Sequence, residues 1–162
     1  MQRSRSNLYL IANASIFVLL LIYLVATSIY RNLPPLIGIF FLYVIVLKFE
    51  EDNKFKNISF TWYFAIFYLF ITEQIHGYKL FSILISYIFA YFLLFNISLK
   101  IIKFRNLLII IYICYGYIMP FCVSNFISYI QKDEYLNFTG DYLLYIFIEI
   151  VLGIVLFRGK FV

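Results

Sequence analysis

The chain has 162 residues, of which 65% are apolar and only 13% charged, against roughly 45–50% and about 25% in ordinary soluble domains. That balance excludes a soluble globular domain and makes lipid the expected medium. The net charge of +5 has a simple reading as basic loops against anionic headgroups, and nucleic-acid binding is not needed to explain it.

A bilayer core about 30 Å thick takes roughly 20 helical residues per crossing, so about six crossings would use most of the chain. The first apolar run extends from about Leu8 to Tyr30, with Arg3 and Arg5 before it and Arg31 after it. It is longer than the apolar core of a secretory signal peptide, about 7–15 residues, and has no convincing cleavage site. The second, about Pro35 to Leu47, is the shortest and is opened by Pro34-Pro35, a pair that a helix tolerates only in its first turn. The charged stretch Lys48 to Asn57 then predicts a loop.

The third run, Ile58 to Ile75, stops at His76-Gly77-Tyr78-Lys79, and a fourth starts at Leu80 and lasts to about Leu99. So tight a connection predicts an antiparallel hairpin. A short basic loop, Lys100 to Asn106, leads to the fifth run, Leu107 to about Ile130, which contains Pro120. An interior proline removes one helical hydrogen bond and is expected to kink the span. A polar loop, Gln131 to Asp141, precedes the sixth run, Tyr142 to Phe157, and a basic tail follows it.

Cytoplasmic loops retain Lys and Arg. With the N-terminus inside, one side holds Arg3, Arg5, Lys48, Lys54, Lys56, Lys100, Lys103, Arg105, Arg158 and Lys160, and the other only Arg31, Lys79 and Lys132. A ten-to-three division over all thirteen basic residues predicts six spans with both ends in the cytoplasm. The expected architecture is all-α: residues 1–162 as a single transmembrane helical-bundle domain. The runs carry no charged face at helical spacing, as a soluble bundle would. Nor do they alternate apolar and polar residues, as outer-membrane strands would. No internal repeat suggests two inverted halves.

Ionisable groups inside a membrane are costly unless paired or neutral, which singles out Glu73 and Glu149. Glu73 lies near the end of helix three, beside Gln74 and three residues before His76; Glu149 is mid-helix in YIFIEIVLG, with Gly153 one turn on. Each reads either as a proton, cation or partner-contact site or as a hydrogen-bonded acid that fixes packing. His76 is the only histidine, and with Cys114 and Cys122 on another helix it makes no recognisable metal spacing, since zinc sites usually need three or four protein ligands. The two cysteines lie about 12 Å apart along one helix at 1.5 Å per residue, too far for a disulfide, and are expected to be free thiols.

No nucleophile, base and orienting acid converge, so no enzyme, metal or cofactor is expected. Small residues that let helices approach closely are sparse: Ala12, Ala14, Ser15, Gly116 and Gly153. Pro34, Pro35, Glu73, His76, Gly77, Pro120 and Glu149 are the candidate structural or partner-contact residues.

The order of these features resembles the MreD family, the small membrane component of the bacterial rod-shape machinery. The resemblance rests on a basic N-terminus, a proline-opened second span (Leu33-Pro34-Pro35-Leu36), a charged cytoplasmic loop, and an acid with a glycine four residues later (Glu73, Gly77). It covers Met1 to about Ile130 in layout and Thr72 to Tyr91 as a motif. Where the family carries glycines before its acid this chain has Ala65 and Leu69, and Phe81 stands where a later glycine would be. The resemblance implies a non-enzymatic scaffold in the bacterial inner membrane. It would bind an MreC-like membrane-anchored protein and work with an MreB-like actin homologue, a RodA-type glycosyltransferase and a transpeptidase in peptidoglycan synthesis. An alternative from another class is the substrate-binding membrane subunit of a vitamin-type transporter, with a pocket where Glu73, Gln74, His76 and Asp141 converge. Ala12, Ala14 and Ser15 would then dock an energising partner.

Overall fold

A computed structural model describes residues 2–30, 32–54, 60–95 and 105–157, with side chains over 15–30, 32–48, 51, 61–92 and 106–157. Six helices account for most of these residues: α1 Gln2–Ile29, α2 Ile37–Lys54, α3 Phe60–Ile75, α4 Ser82–Phe89, α5 Arg105–Gln131 and α6 Gly140–Phe157. A π-helical turn, Ala90–Phe95, continues α4. No strand occurs among the described residues, so the all-α expectation holds. Two helices, α5 and α6, are long and apolar enough to cross a membrane.

The six apolar runs correspond in order to the six helices, with shifted ends. The largest difference is at α2, where part of the stretch expected as a loop is helical through Lys54. Lys48 and Glu51 pair at 3.0 Å one turn apart, the spacing at which opposite charges support a helix. At its other end α2 starts only at Ile37. Pro34 and Pro35 therefore precede the helix, in a buried connection, rather than occupying its first turn. The fifth helix stays helical on both sides of Pro120, a buried residue.

The helix α2 is the centre of the bundle, packing on α3, α5 and α6, while α5 also contacts α4 and α6. Its buried side chains include Phe41, Leu42 and Val44, none of which is exposed to solvent. Close approach is set by glycines. A Cβ on Gly116 of α5 would lie 3.2 Å from the Gly38 Cα of α2, and one on Gly153 of α6 would lie 2.5 Å from Ile113 Cδ1 of α5. On α6 the buried residues Tyr145, Ile146, Glu149, Gly153 and Phe157 recur at helical spacing and form one stripe. The opposite face exposes Leu143, Phe147, Val151, Val155 and Leu156, an apolar surface unlike the charged outer face of a soluble amphipathic helix.

The α3–α4 hairpin is as expected. Gly77 has φ +74°, and the N–H groups of Tyr78 and Gly77 donate to the carbonyls of Glu73 and Gln74, a Schellman closure of α3. The end of α5 repeats this geometry with Lys132 (φ 58°) in the glycine position. There the Asp133 and Lys132 N–H groups donate to the carbonyls of Ser128 and Tyr129. The two turns are joined by Lys79 Nζ to Asp133 Oδ2 at 2.6 Å, and the Lys79 N–H also donates to Ser124 Oγ within α5 at 2.9 Å.

Candidate functional site: two buried carboxylates and a polar cleft

The first N–H groups of a helix lack intrahelical acceptors, and a side-chain oxygen on the residue just before the helix commonly receives one of them. Neither α2 nor α4 has such a residue. Leu36 and Phe81 stand there, both with positive φ, 59° and 69°, in a region disfavoured for non-glycine side chains. In each case a buried glutamate from another helix supplies the acceptor.

For α4 the acceptor is Glu73. Its Oε1 accepts from the Ser82 hydroxyl at 2.7 Å and from the Ile83 N–H at 3.1 Å. Both Glu73 and Ser82 are buried. The acid thus fastens the far side of the hairpin that Gly77 turns. Buried serines carry the packing onward: Ser86 Oγ donates to the Ser82 carbonyl at 2.7 Å, and Ser124 and Ser128 of α5 are also buried.

For α2 the acceptor is Glu149, which is fully buried. Its Oε2 accepts the Ile39 N–H at 3.0 Å, and the peptides of Gly38 and Leu36 also interact with the carboxylate. Its Oε1 accepts the Tyr117 hydroxyl of α5. Negative charge is favoured at a helix N-terminus by the dipole and by the free donors together. The incoming connection is held by phenols: Tyr23 of α1 donates to the Pro34 carbonyl at 2.7 Å, and Tyr68 of α3 to the Pro35 carbonyl at 3.1 Å. Helices α1, α3 and α6 therefore bond to the segment from Pro34 to Ile39, and α5 joins them through the Tyr117 bond to Glu149.

The third feature is a cleft of about 440 Å³ where the ends of α1, α3 and α6 meet, lined by Thr27, Ser28, His76, Asn137, Asp141 and Tyr142 among others. His76 Nδ1 lies 3.2 Å from the Thr72 carbonyl. Burial pushes the His76 imidazole below its ordinary pKa, against an opposing pull from that carbonyl. The loop opposite is tied to α5 by Asn125, whose Oδ1 accepts the Leu136 N–H at 2.8 Å and whose amide donates to the Leu136 carbonyl.

The expected site residues thus fall into three places. Glu73 and Glu149 have separate partners. His76 and Asp141 share the cleft, whereas Glu73 is turned away into the α4 N-terminus and Gln74 is exposed. Cys114 and Cys122 are free thiols. Among the described residues no group of His, Cys, Asp and Glu could hold a metal ion. The side chains of Ala12 and Ala14 lie outside the described residues, as do Arg31, Lys56, Lys100, Lys103, Arg158 and Lys160 of the basic count.

Sequence reasoning passed over Gly38, Ser82 and the four phenols Tyr23, Tyr68, Tyr78 and Tyr117. Gly38 carried a usable signal, a lone glycine inside an apolar run directly after two prolines. The tyrosines carried none, because the chain has 16 of them. No family model, curated protein or solved structure matches the chain.

Proposed function

We propose that the chain is a six-span protein of the bacterial inner membrane, with both termini in the cytoplasm, acting as a non-enzymatic, MreD-like scaffold of the peptidoglycan-elongation complex. The observation that carries the non-catalytic part is the use of both buried acids. Glu73 and Glu149 are committed to helix N-termini, where each serves the packing of the bundle and neither is aimed at the cleft. The family part rests on the sequence layout alone, from the proline-opened second span to the Glu73 and Gly77 pair.

Topology follows from the basic-residue division and agrees with the arrangement of the connections. The turn at His76–Phe81 and the loop after Lys132 are bonded together, and the end of α1 faces the start of α6 across the cleft. All three then belong to the extracytoplasmic side, where the sequence carries few cations. The membrane-anchored, MreC-like partner would meet α1, which packs chiefly on α3 and exposes Leu19, Ile22 and Val25.

Affinity purification in mild detergent followed by mass spectrometry tests this reading. Recovery of an MreC-like protein is expected. Recovery of a transporter ATPase and its coupling subunit instead would favour the second reading, a vitamin-type substrate-binding subunit, for which the polar cleft holding His76 and Asp141 is the specific observation.

A further inference from the structure

The polar cleft is rich in hydrogen-bond acceptors, and the bonds its walls already make show which atoms remain to be used. On α1 the Thr27 hydroxyl donates to the Leu24 carbonyl and the Ser28 hydroxyl to the Val25 carbonyl, both at 2.7 Å. A hydroxyl has one proton and two lone pairs, so both oxygens keep acceptor capacity. At the end of α3, His76 Nδ1 lies 3.2 Å from the Thr72 carbonyl, a group that only accepts. The proton of the neutral ring therefore sits on Nδ1, and Nε2 carries a lone pair. From α6, Asp141 brings a carboxylate to the lining. Asn137, Thr139 and Tyr142, which also line the cleft, can donate or accept.

The charge balance has the same sense. Helices α1 and α3 bring their C-termini to the cleft and α6 its N-terminus, each end worth roughly half a charge, negative at a C-terminus and positive at an N-terminus. Two negative ends and a carboxylate outweigh one positive end. No Lys or Arg is among the described residues of the lining, and Lys79 of the neighbouring turn is paired with Asp133 at 2.6 Å. A cation fits such a site and an anion does not. A metal ion usually needs three or four protein ligands, and no group of three His, Cys, Asp or Glu residues exists among the described residues. An ammonium group instead carries three N–H donors, matched by Thr27, Ser28 and His76. Ile29, Ile75 and the edge-on rings of Tyr142 and Tyr145 add apolar wall, and the volume of about 440 Å³ suits a small molecule.

We propose that the cleft binds a small protonated amine, an ammonium group on a short apolar or aromatic body, with Asp141 as its counter-charge and Thr27, Ser28 and His76 as acceptors for its N–H groups. The inference deepens the second reading, the substrate-binding subunit, by fixing the charge class of what the cleft takes; entry from the extracytoplasmic side rests on the proposed topology. Acidic ligands are excluded.

Saturation-transfer NMR titrations of the full-length protein in lipid nanodiscs test this near neutral pH, with binding to empty nanodiscs subtracted. The probes are benzylammonium, benzyl alcohol and benzoate, similar in shape and different in charge. Benzylammonium should bind about tenfold more tightly than benzyl alcohol, because charge-assisted hydrogen bonds are the stronger kind, and benzoate should show no saturable binding. Asp141→Asn should bring the amine down to about the level of the alcohol and leave the alcohol itself within about twofold. Ser28→Ala, at an exposed position, removes one acceptor and should weaken the amine about threefold; it serves if Asp141→Asn fails to fold. Absence of saturable benzylammonium binding, equal affinity for amine and alcohol, tighter binding of benzoate, displacement of the amine by equimolar Zn2+, or a charge preference unchanged in the folded variants would each overturn the proposal. Recovery of an MreC-like partner or of a transporter ATPase is a separate readout and moves with none of these titrations.

Discussion

The Glu149 carboxylate accepts the backbone N–H of Ile39, 110 positions away in the chain, at 3.0 Å. The bond joins the last helix to the first turn of the central one, and Tyr117 completes it from a third helix. Removing the acceptor leaves a buried N–H and a buried phenol without partners, which costs about 1–3 kcal/mol per group, less where an alternative partner exists. Glu149→Leu should therefore lower the melting temperature in detergent clearly more than Glu149→Gln, whose carbonyl oxygen still accepts one bond. Equal losses would show that the carboxylate is not the cap of α2.

Gly38 and Gly153 should respond differently to the same added methyl. At Gly38 a Cβ would meet Ile113 Cγ2 at 2.8 Å, Glu149 Oε2 at 2.9 Å and the Ile113 carbonyl oxygen at 3.1 Å, and a backbone atom cannot yield. At Gly153 it meets the end of the Ile113 side chain at 2.5 Å and Ile109 Cγ2 at 3.1 Å, groups that can rotate. Gly38→Ala should cost about 1–3 kcal/mol, the usual penalty of overpacking, and Gly153→Ala less. Thermal denaturation of the two variants side by side checks the order.

At Gly77 the expected penalty is conformational alone. Its φ is +74° and a Cβ there meets nothing within 4 Å, so Gly77→Ala should destabilise by about 1 kcal/mol. A β-branched Gly77→Val should do more harm, while Gly77→Asn, which tolerates this region, should sit between Ala and glycine. An equal melting temperature for Val and Asn would remove the turn from the account.

Much of this fold was legible in the residue pattern, and the limits have physical causes. Apolar runs and their polar breaks give the six helices in order. Gly77 was readable because a helix that stops and reverses within a few residues needs a left-handed residue. The ends of α2 were not. Lys48 to Lys54 look like a water-exposed loop, but charges a turn apart also stabilise a helix. The delayed start at Ile37 depends on Tyr23, Tyr68 and Glu149, all distant in sequence. The two acids were identifiable as costly burials; their roles as caps were not, because the donors are backbone groups of other helices. No local signal in Leu36 or Phe81 announces that a helix follows without a cap of its own.

Topology is checked by accessibility. In a cysteine-free background, single cysteines replacing Asn53, Arg105 and Lys160 should resist an impermeant thiol reagent in whole cells, whereas one replacing Glu134 should react. Labelling of the Asn53 position from outside would overturn the six-span map.

The central claim is a scaffold of cell-wall elongation, and the most direct measurement is cell shape on depletion. In a rod-shaped or helical host, loss of the protein should give rounded, widening cells. A variant with Glu73, His76 and Glu149 replaced together should impair shape only in proportion to lost protein or lost partner binding. Normal shape on depletion, together with loss of uptake of one nutrient, would contradict the scaffold reading and favour a transporter subunit built around the cleft.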